Sequence, residues 1–307
     1  MTEATMRAQM GATIQALMDT DPKLAVVLAD ISTGYFERAI AAHPLRVIEM
    51  GIMEQAAVSV AAGLALEGLV PVVHSITPFV IERPFEQIKD DFCYQRLGGN
   101  FISTGASYDY GTDGFTHYGM ADVPILRTLP GMEIVVPGTP GEFDALFRAT
   151  YADGAPTYFR LAAQQNAADR PVRFGKLDVV RRGSRACIVA VGPMLDRVLE
   201  AVRDLHVTVL YCTTVAPFDA EALRAETIQG PMSPGASIVL VEPYQEGTLV
   251  PEIIAALRPH PVRLEAIGVP RRILSNYGTT EEHDAEIGLT AAGIRARIEA
   301  FLGVRAT

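Results

Sequence analysis

The sequence has little cysteine and no surplus of basic side chains. Its 307 residues include three cysteines, Cys93, Cys187 and Cys212, which form no CxxC or Cys/His cluster. This scarcity predicts a reducing compartment, buried thiols, and neither a disulfide framework nor a zinc site. The 36 acidic residues outnumber the 26 lysines and arginines and give a net charge of −10. Nucleic acid and anionic membranes are therefore poor candidates for partners.

Long hydrophobic runs and the common single-chain motifs are also absent. The longest nearly apolar stretch, 56–66, is far shorter than the ~20 residues that cross a bilayer. The first ten residues carry Glu3 and Arg7 and no long apolar stretch. We therefore predict no secretory signal and a cytoplasmic location. The patterns GxGxxG after a strand, GxxxxGK(S/T), HExxH and GxSxG do not occur, which leaves the corresponding nucleotide, zinc and serine-hydrolase sites unsupported.

What is present is a regular alternation of strand-like and helix-like segments. The first series predicts strands at 24–28, 46–50, 70–73, 133–136 and 157–161, and helices at 7–18, 54–67, 85–97 and 142–151. The second series predicts strands at 187–191, 207–211, 237–241 and 262–267, and helices at 194–205, 220–226, 248–257 and 291–302. Such alternation is typical of βαβ units and parallel sheets.

The alternation weakens between the two series, where polar residues, Pro171 and Gly175 replace the apolar runs. The chain is long enough for about two domains. We therefore predict an α/β fold with two three-layer domains and mostly parallel sheets. Their bounds are 1–165 and 183–307, joined by a linker over 166–182.

The strongest local signal is the string Gly51-Ile52-Met53-Glu54-Gln55, between a predicted strand and a predicted helix. Open α/β sheets bind ligands at the carboxyl ends of their strands. An acid in the first turn of a helix is stabilised by the helix dipole. Taken alone, Glu54 is either a site residue or a helix-start acid with no further role, because acids are common in first turns.

With the small-residue helix that follows, this string resembles the pyrimidine-binding domain of transketolases and deoxyxylulose-phosphate synthases. Asp-Gly-Phe-Thr-His at 113–117 resembles the family's Asp-Gly-x-Thr-His-Gln. The segments 126–132 and 156–161 resemble its Leu-Arg-x-Ile-Pro-Asn string and the strand that closes the domain in split transketolases. The second half, with 241–242 and 267–270, resembles the transketolase C-terminal domain.

The resemblance implies a thiamine-diphosphate-dependent transferase that moves a two-carbon ketol unit from a ketose to an aldehyde. These enzymes hold Mg²⁺ and the cofactor diphosphate with a Gly-Asp-Gly motif, which this sequence lacks. The resemblance therefore implies the C-terminal subunit of a split transketolase. Its N-terminal, diphosphate-binding partner would hold the Mg²⁺, this chain would bind no metal, and the assembly would be an α2β2 heterotetramer.

Two alternatives remain at this stage. One is a subunit of a deoxyxylulose-phosphate-synthase-like or other 2-oxoacid-decarboxylating carboligase, since 2-oxoacid dehydrogenase beta subunits share the two-domain plan. The other is a catalytically idle scaffold subunit, against which the retention of Glu54, Asp113 and His117 counts.

The family resemblance also assigns cofactor contacts. Glu54 corresponds to the carboxyl group that bonds the ring nitrogen of the aminopyrimidine. Phe79 is the first candidate for the aromatic ring beside the pyrimidine, and Phe85 is the second because a one-residue length difference blurs the register. Ile52 and Asp30 are further cofactor candidates. Both phenylalanines could instead be core residues.

Five residues are candidates for substrate contacts. Asp113 and His117 match the pair that holds sugar hydroxyls, and they could pass protons near neutral pH. Tyr110 lies in the same loop. His74 ends a predicted strand, where a core histidine is the alternative. Arg160 could bind a phosphate in bidentate fashion or form an ordinary salt bridge.

The sequence departs from the family around this loop. Gly105 stands where transketolases carry a phosphate-binding histidine, and Tyr118 replaces the glutamine after His117. Asp109 adds an acid. A lining of this kind favours neutral or amino-bearing substrates, which leads to the hypothesis of a specialised pathway rather than pentose phosphate exchange.

Overall fold

A computed structural model describes residues 5–228 and 236–303 of the chain. Residues 1–4 of the N-terminal stretch, and 229–235 and 304–307 of the predicted second domain, lie outside the described residues. Within the described parts, no helix combines the length and the apolar character that a membrane crossing requires.

The described residues form twelve strands and eleven α-helices. The strands are β1 Leu24–Leu28, β2 Val47–Glu49, β3 Val70–Ile76, β4 Gly99–Thr104, β5 Glu133–Val135, β6 Pro156–Arg160, β7 Leu177–Arg181, β8 Cys187–Val191, β9 Thr208–Cys212, β10 Thr214–Ala216, β11 Ala236–Gln245 and β12 Val262–Val269. The helices are α1 Met6–Met18, α2 Glu37–Ala42, α3 Glu54–Leu66, α4 Phe85–Gln87, α5 Asp122–Leu126, α6 Pro140–Thr150, α7 Leu195–Ala201, α8 Ala220–Thr227, α9 Val250–Leu257, α10 Thr280–Ile287 and α11 Ala291–Leu302.

The first sheet has seven strands in the order β10-β5-β6-β4-β3-β1-β2, and every pair except β10-β5 is parallel. Alternate residues of its strands enter two different cores. Val26 and Val72 pack on the side of α1 and α6, whereas Val27 and Val73 pack on the side of α3. This alternation follows from the two-residue period of a strand and produces three layers.

The second sheet has five strands in the order β12-β11-β8-β9-β7. Val209 and Ile188 pack on the side of α7 and α11, while Leu210 and Val189 pack on the side of α8 and α9. The core on the α8 and α9 side is continuous with the core around α3. The predicted α/β class with two mostly parallel sheets is confirmed.

Three local differences from the sequence prediction have physical reasons. Strand β7 lies inside the predicted linker and pairs antiparallel with β9; only its Leu177 is fully buried, so it lacks an apolar run. Strand β10 joins the first sheet, antiparallel to β5, although the predicted boundary puts it in the second domain. The helix predicted at 85–97 is instead a short α-helix followed by a π-helical segment, Ile88–Tyr94.

Strand β4, between β3 and β6, has no counterpart in the sequence prediction. Its residues are all buried although glycine, asparagine, serine and threonine make up most of them. The polar side chains are paired: Asn100 Nδ2 donates to the Tyr151 carbonyl at 2.9 Å, and Ser103 Oγ lies 2.7 Å from the Tyr158 hydroxyl. Strand β4 therefore buries polar side chains that are hydrogen-bonded, whereas a buried strand is usually apolar.

Candidate active site

Glu54 lies in the first turn of α3, close to the carboxyl ends of β1 and β2. Its side chain is 3% exposed, and the Arg83 Nη1 donates to its Oε1 at 2.7 Å. Its other oxygen, Oε2, is buried and has no hydrogen-bond partner within the described residues. A buried oxygen without a partner costs free energy unless a ligand satisfies it. This oxygen therefore suits the ring nitrogen of an aminopyrimidine.

Phe79 lies on a π-helical turn, Pro78–Glu82, and contacts the arginine that bonds this carboxyl group. The Arg83 guanidinium carbon lies 4.2 Å from the Phe79 ring centroid, and the His117 ring centroid lies 5.1 Å from it. A π-turn accommodates one more residue than an α-turn, which is consistent with the one-residue length difference in this segment. The structure thus links Glu54, Arg83, Phe79 and His117 through successive contacts.

Phe85, the second candidate for the stacking ring, has a different environment. It is half-buried and packs against the hydrophobic core around α3. Phe79 rather than Phe85 is therefore the ring that the structure places beside Arg83 and His117. Which ring contacts a cofactor stays a prediction.

Asp113 and His117 lie on a loop, 107–119, whose ends pair with each other. The Gly119 N–H donates to the Ser107 carbonyl at 2.8 Å, and the Ser107 N–H donates back at 3.2 Å. Asp113 is exposed, and its N–H donates to the Tyr110 carbonyl at 2.9 Å. His117 is half-buried, with its ring 6.4 Å from that of Tyr110. The loop therefore carries three of the predicted substrate residues, and it brings the rings of Tyr110 and His117 close together.

The ring of Tyr110 fills the space beside Gly105. A Cβ at position 105 would lie 2.1 Å from Tyr110 Cε2, and the backbone φ there is +75°. A larger side chain at 105 is therefore excluded twice, by the phenol ring and by the backbone conformation. The histidine of relatives has no room at this position.

His74 is fully buried. Its Nε2 lies 2.6 Å from Ser32 Oγ and its Nδ1 lies 2.7 Å from the Ile102 carbonyl, while the Arg7 Nε donates to Ser32 Oγ at 2.8 Å. Burial lowers the pKa of His74 to about 3. Both ring nitrogens have protein partners, so the geometry is that of the core histidine; its role in substrate binding stays a prediction.

Arg160 is 1% exposed and is paired with Asp122 at 2.7 Å. Its Nη2 donates to Ser107 Oγ at 2.8 Å and to the Gly119 carbonyl at 3.1 Å. Tyr244, from the second sheet, lies with its ring 5.4 Å from the guanidinium carbon. The structure thus places Arg160 in the salt bridge that was the alternative to phosphate binding, and phosphate binding stays a prediction.

The remaining cofactor candidates lie at the rim of the sheet. Asp30 follows β1, is exposed, and donates its N–H to Glu49 Oε1 at 2.9 Å. Ile52 is 67% exposed and Met53 is 56% exposed beside it. Solvent-exposed apolar side chains of this size next to a buried acid suit a surface that a ligand or another chain covers.

The sequence prediction gave no role to Arg83, although it borders the site. The sequence signal for Arg83 is its position four residues after Phe79, from which an arginine can contact both the ring and an acid. Glu82 was also missed. Its side chain is exposed, but partial desolvation and the charge of Asp122 raise its pKa to about 7. It lines a cleft of about 470 Å³ between the two domains, together with Pro78 and Thr116, the chain neighbours of Phe79 and His117.

Two family models match the sequence. The model described as "Transketolase, pyrimidine binding domain" matches residues 2–167, and "Transketolase, C-terminal domain" matches residues 175–294. Together with two mostly parallel α/β domains and a buried glutamate at the strand ends, these matches define the class of protein. The chain belongs to the transketolase family.

Its relatives fall into two groups by length. A Rhodococcoides fascians protein, "Uncharacterized 33.6 kDa protein in fasciation locus", is 41% identical over 300 residues, which cover 97% of this chain and 95% of the relative. The 1-deoxy-D-xylulose-5-phosphate synthase of a Cyanothece species is 32% identical over 94% of this chain, but only 47% of that enzyme is covered. The chain thus spans about half the length of such synthases.

Solved structures confirm the architecture. One described as "Split gene transketolase, inactive beta4 tetramer" has a TM-score of 0.84 and 27% identity, and covers 98% of this chain and 99% of that chain. A transketolase from Campylobacter jejuni has a TM-score of 0.79 at 18% identity, covering 97% of this chain and 47% of that one, and shows the fold alone.

Proposed function

We propose that this chain is the pyrimidine-binding subunit of a two-component, thiamine-diphosphate-dependent transketolase-like enzyme. The enzyme would transfer a two-carbon ketol unit from a ketose donor to an aldehyde acceptor. The observation that carries the proposal is the carboxyl group of Glu54. It is buried, Arg83 holds one oxygen, and the other has no partner within the described residues.

The residues present fit the cofactor. Glu54 Oε2 would share a proton with the aminopyrimidine nitrogen, and Arg83 would fix the carboxyl plane through Oε1. Phe79 would offer its ring to the pyrimidine. Bound thiamine diphosphate supplies the carbanion chemistry of the family. The protein's part is to orient the pyrimidine and keep water from the buried carboxyl group.

Asp113, His117 and Tyr110 would form the substrate-binding face. Asp113 and His117 would hold the hydroxyl groups next to the donor carbonyl, and His117 could move a proton there. Because Tyr110 occupies the space of the family histidine, the acceptor pocket would lack that phosphate ligand. We therefore retain the hypothesis of a neutral or amino-bearing substrate. Saturating turnover of xylulose 5-phosphate with ribose 5-phosphate would contradict it.

A separate diphosphate-binding subunit completes the proposal. The Rhodococcoides fascians relative is covered to 95% and the split-gene transketolase chain to 99%, so both have about the length of this chain. The similar split-gene structure is described as an inactive tetramer of one kind of chain. Both facts support a partner that holds Mg²⁺ and the diphosphate, within an α2β2 heterotetramer whose extended interfaces are typical of obligate complexes.

A second candidate reaction is favoured by the relatives. Several of the similar proteins are 1-deoxy-D-xylulose-5-phosphate synthases at about 30% identity. A synthase-like subunit would accept a 2-oxoacid donor and release carbon dioxide. Carbon dioxide release from pyruvate by the reconstituted enzyme, without ketose-dependent turnover, would favour this candidate over ketol transfer.

The test begins with a tagged pull-down from the native host and identification of the captured chains by mass spectrometry. We expect a chain bearing Gly-Asp-Gly and a downstream asparagine. The reconstituted pair should bind thiamine diphosphate with Mg²⁺ in a calorimetric titration and turn over a ketose donor. Recovery of this chain alone, under conditions that preserve complexes, would contradict the proposal and favour an idle scaffold.

A further inference from the structure

We propose that the C-terminal domain positions loop 107–119 for the reaction, through a contact between Tyr118 and His283. Tyr118 and His283 are positioning residues in this proposal, because they act through the neighbouring Asp113 and His117. The inference deepens the proposed function and rests on it for the role of the loop.

The base of the loop is attached to β11 of the second sheet. Ser107 Oγ donates to the Pro243 carbonyl, and the Gln245 N–H donates to the Met120 carbonyl at 3.1 Å. Since Ser107 and Gly119 also pair with each other, both ends of the loop are fixed at one place. Only the segment between them, which carries Asp113 and His117, needs a further support.

Tyr118 provides that support from within the loop. Its hydroxyl is buried, 2.8 Å from the Asn276 carbonyl, 3.3 Å from the Gly111 carbonyl and 3.0 Å from His283 Nε2. A phenol has one proton, which the two carbonyls can accept, so the hydroxyl oxygen accepts from His283 Nε2. His283 Nδ1 is then the unprotonated nitrogen. It is buried without a partner in the described parts of the chain, where a bare lone pair is cheaper than a bare N–H.

Neighbouring contacts hold the same two segments together. The Gly278 N–H donates to the Gly111 carbonyl at 3.3 Å, and a Cβ at position 111 would lie 2.3 Å from the Gly278 carbonyl oxygen. Such a close approach of two backbones requires glycine. The Tyr108 hydroxyl donates to Asp284 Oδ1 at 2.5 Å, next to His283 on α10. Helix α10 thus contacts the loop at both ends of its free segment.

The contact also explains a departure noted in the sequence. Tyr118 stands where relatives carry glutamine, directly after His117. In this chain the side chain at 118 is directed into the C-terminal domain, so the orientation of His117 depends on helix α10 as well as on the first domain. The C-terminal domain would thereby contribute to the geometry of the substrate face.

The first experiment measures amide hydrogen exchange across 107–119 in the full chain, without substrate or partner. Tyr118→Phe and His283→Leu each remove the contact, and we expect faster exchange in this segment by about tenfold. Tyr211→Phe is the matched control. It removes another buried hydroxyl between the domains, bonded to Glu142 at 2.6 Å and to Asn166 at 3.2 Å, neither of which belongs to the loop. His283→Gln, with an amide nitrogen near the Nε2 position, should restore protection.

The second experiment measures turnover of the reconstituted enzyme. Tyr118→Phe and His283→Leu should lower kcat by about tenfold, and His283→Gln should recover it, while Tyr211→Phe should match the unaltered enzyme. Unchanged exchange in both loop variants would overturn the proposal, and so would faster exchange with unchanged turnover. If the unaltered reconstituted enzyme has no activity, the proposed function fails, whereas the exchange data still report on the contact itself.

Discussion

The first domain contains two arginine–carboxylate pairs that look alike in sequence and differ in the structure. Asp122 and Arg160 are 0% and 1% exposed, and Arg160 also donates to Ser107 and Gly119. Glu54 is equally buried, but its partner Arg83 is 36% exposed at the side chain and lies over the Phe79 ring. In each carboxyl group one oxygen has no hydrogen-bond partner within the described residues, Oδ1 of Asp122 and Oε2 of Glu54. The two pairs therefore differ in their arginines, since Arg160 is buried and Arg83 faces solvent.

This difference separates a structural pair from a candidate functional one. A buried pair contributes little net stability over an apolar replacement, but losing one partner leaves an unpaired charge. Asp122 and Arg160 therefore hold β6, α5 and the loop at 107–119 in one arrangement. The second pair keeps an acid in a fixed orientation while one face of the site remains accessible. The predictions below test this division, from the largest expected effect to the smallest.

Glu54→Gln should abolish most of the activity without unfolding the protein. Glutamine keeps the shape but cannot share a proton with a ring nitrogen, so we expect kcat to fall by about 10²–10⁴-fold. The urea midpoint should change little. Glu86→Gln, at an exposed acid of α4, is the control and should leave kcat unaltered. Normal turnover of the Glu54 variant would remove the basis of the proposed function.

Asp122→Ala should lower the stability of the fold, in contrast to Glu54→Gln, which should lower activity. It leaves the Arg160 guanidinium buried without its counter-ion and removes an acceptor of the Tyr158 hydroxyl, which donates at 2.7 Å. We expect a loss of about 3–5 kcal/mol in the free energy of unfolding. Urea denaturation measures it, with Arg38→Ala at an exposed pair as the control that changes little. Equal free energies of unfolding for Asp122→Ala and Arg38→Ala would contradict the distinction between a structural pair and a functional one.

His74 is a buried titratable group that forms no ion pair with any residue in 5–228 or 236–303, and it should make stability depend on pH. Burial lowers its pKa to about 3 in the folded chain, against an ordinary value near 6.5. The unfolded chain therefore takes up a proton first as the pH falls. This histidine should cost about 2 kcal/mol of stability between pH 7.5 and pH 5.

The measurement compares urea midpoints of the unaltered protein and His74→Asn at both pH values. Carboxyl groups whose pKa burial raises, such as Glu133 to about 7 and Asp109 to about 6, act in the opposite direction in both proteins. They cancel in the difference. A variant that loses as much stability on acidification as the unaltered protein would show that His74 titrates normally.

Arg83→Ala should give the smallest effect of the four substitutions. It removes the hydrogen bond to the buried Glu54 carboxyl group and the contact with the Phe79 ring, but because the Arg83 side chain is 36% exposed, water can take its place beside Glu54. We expect the affinity of the reconstituted complex for thiamine diphosphate to fall by about tenfold, measured by calorimetric titration. Lys89→Ala, on the exposed side of the same segment, serves as the reference. Unchanged affinity would mean that Arg83 does not orient Glu54.

The sequence predicted the layers well and the polar strands poorly. Strand β1 is apolar throughout, and the sequence predicts it with the bounds that the structure has. Strand β4 is equally buried, but its polar residues resemble those of a loop. Asn100 and Ser103 can be buried because residues far along the chain satisfy their hydrogen bonds. Periodicity reports apolar surface, and it cannot detect polar groups whose hydrogen bonds come from tertiary contacts. The same limit hid β7, of which only Leu177 is fully buried.

Within the site, motif matching found acids and rings but not their pairing. Arg160 and Arg83 carry the same side chain, and only the fold shows that one is sealed against Asp122 and the other lies on Phe79. Phe79 lies on a π-turn, which has no signature in composition, and the choice between Phe79 and Phe85 as the stacking ring stays a prediction. Likewise, the sequence shows at Gly105 only that a histidine ligand is absent. The structure adds that the Tyr110 ring occupies the space where a side chain at 105 would lie.

The three-residue strand β10 has a consequence for synthesis of the chain on the ribosome. It covers the outer edge of β5, but it emerges only after residue 216, some way beyond the last residue of the first sheet's other strands at 160. At roughly 5–20 residues per second, that edge stays open for on the order of several seconds. An open edge strand pairs readily with other chains. A nascent first domain is therefore most prone to aggregation in that interval, and a fragment ending in the linker would retain the exposed edge permanently.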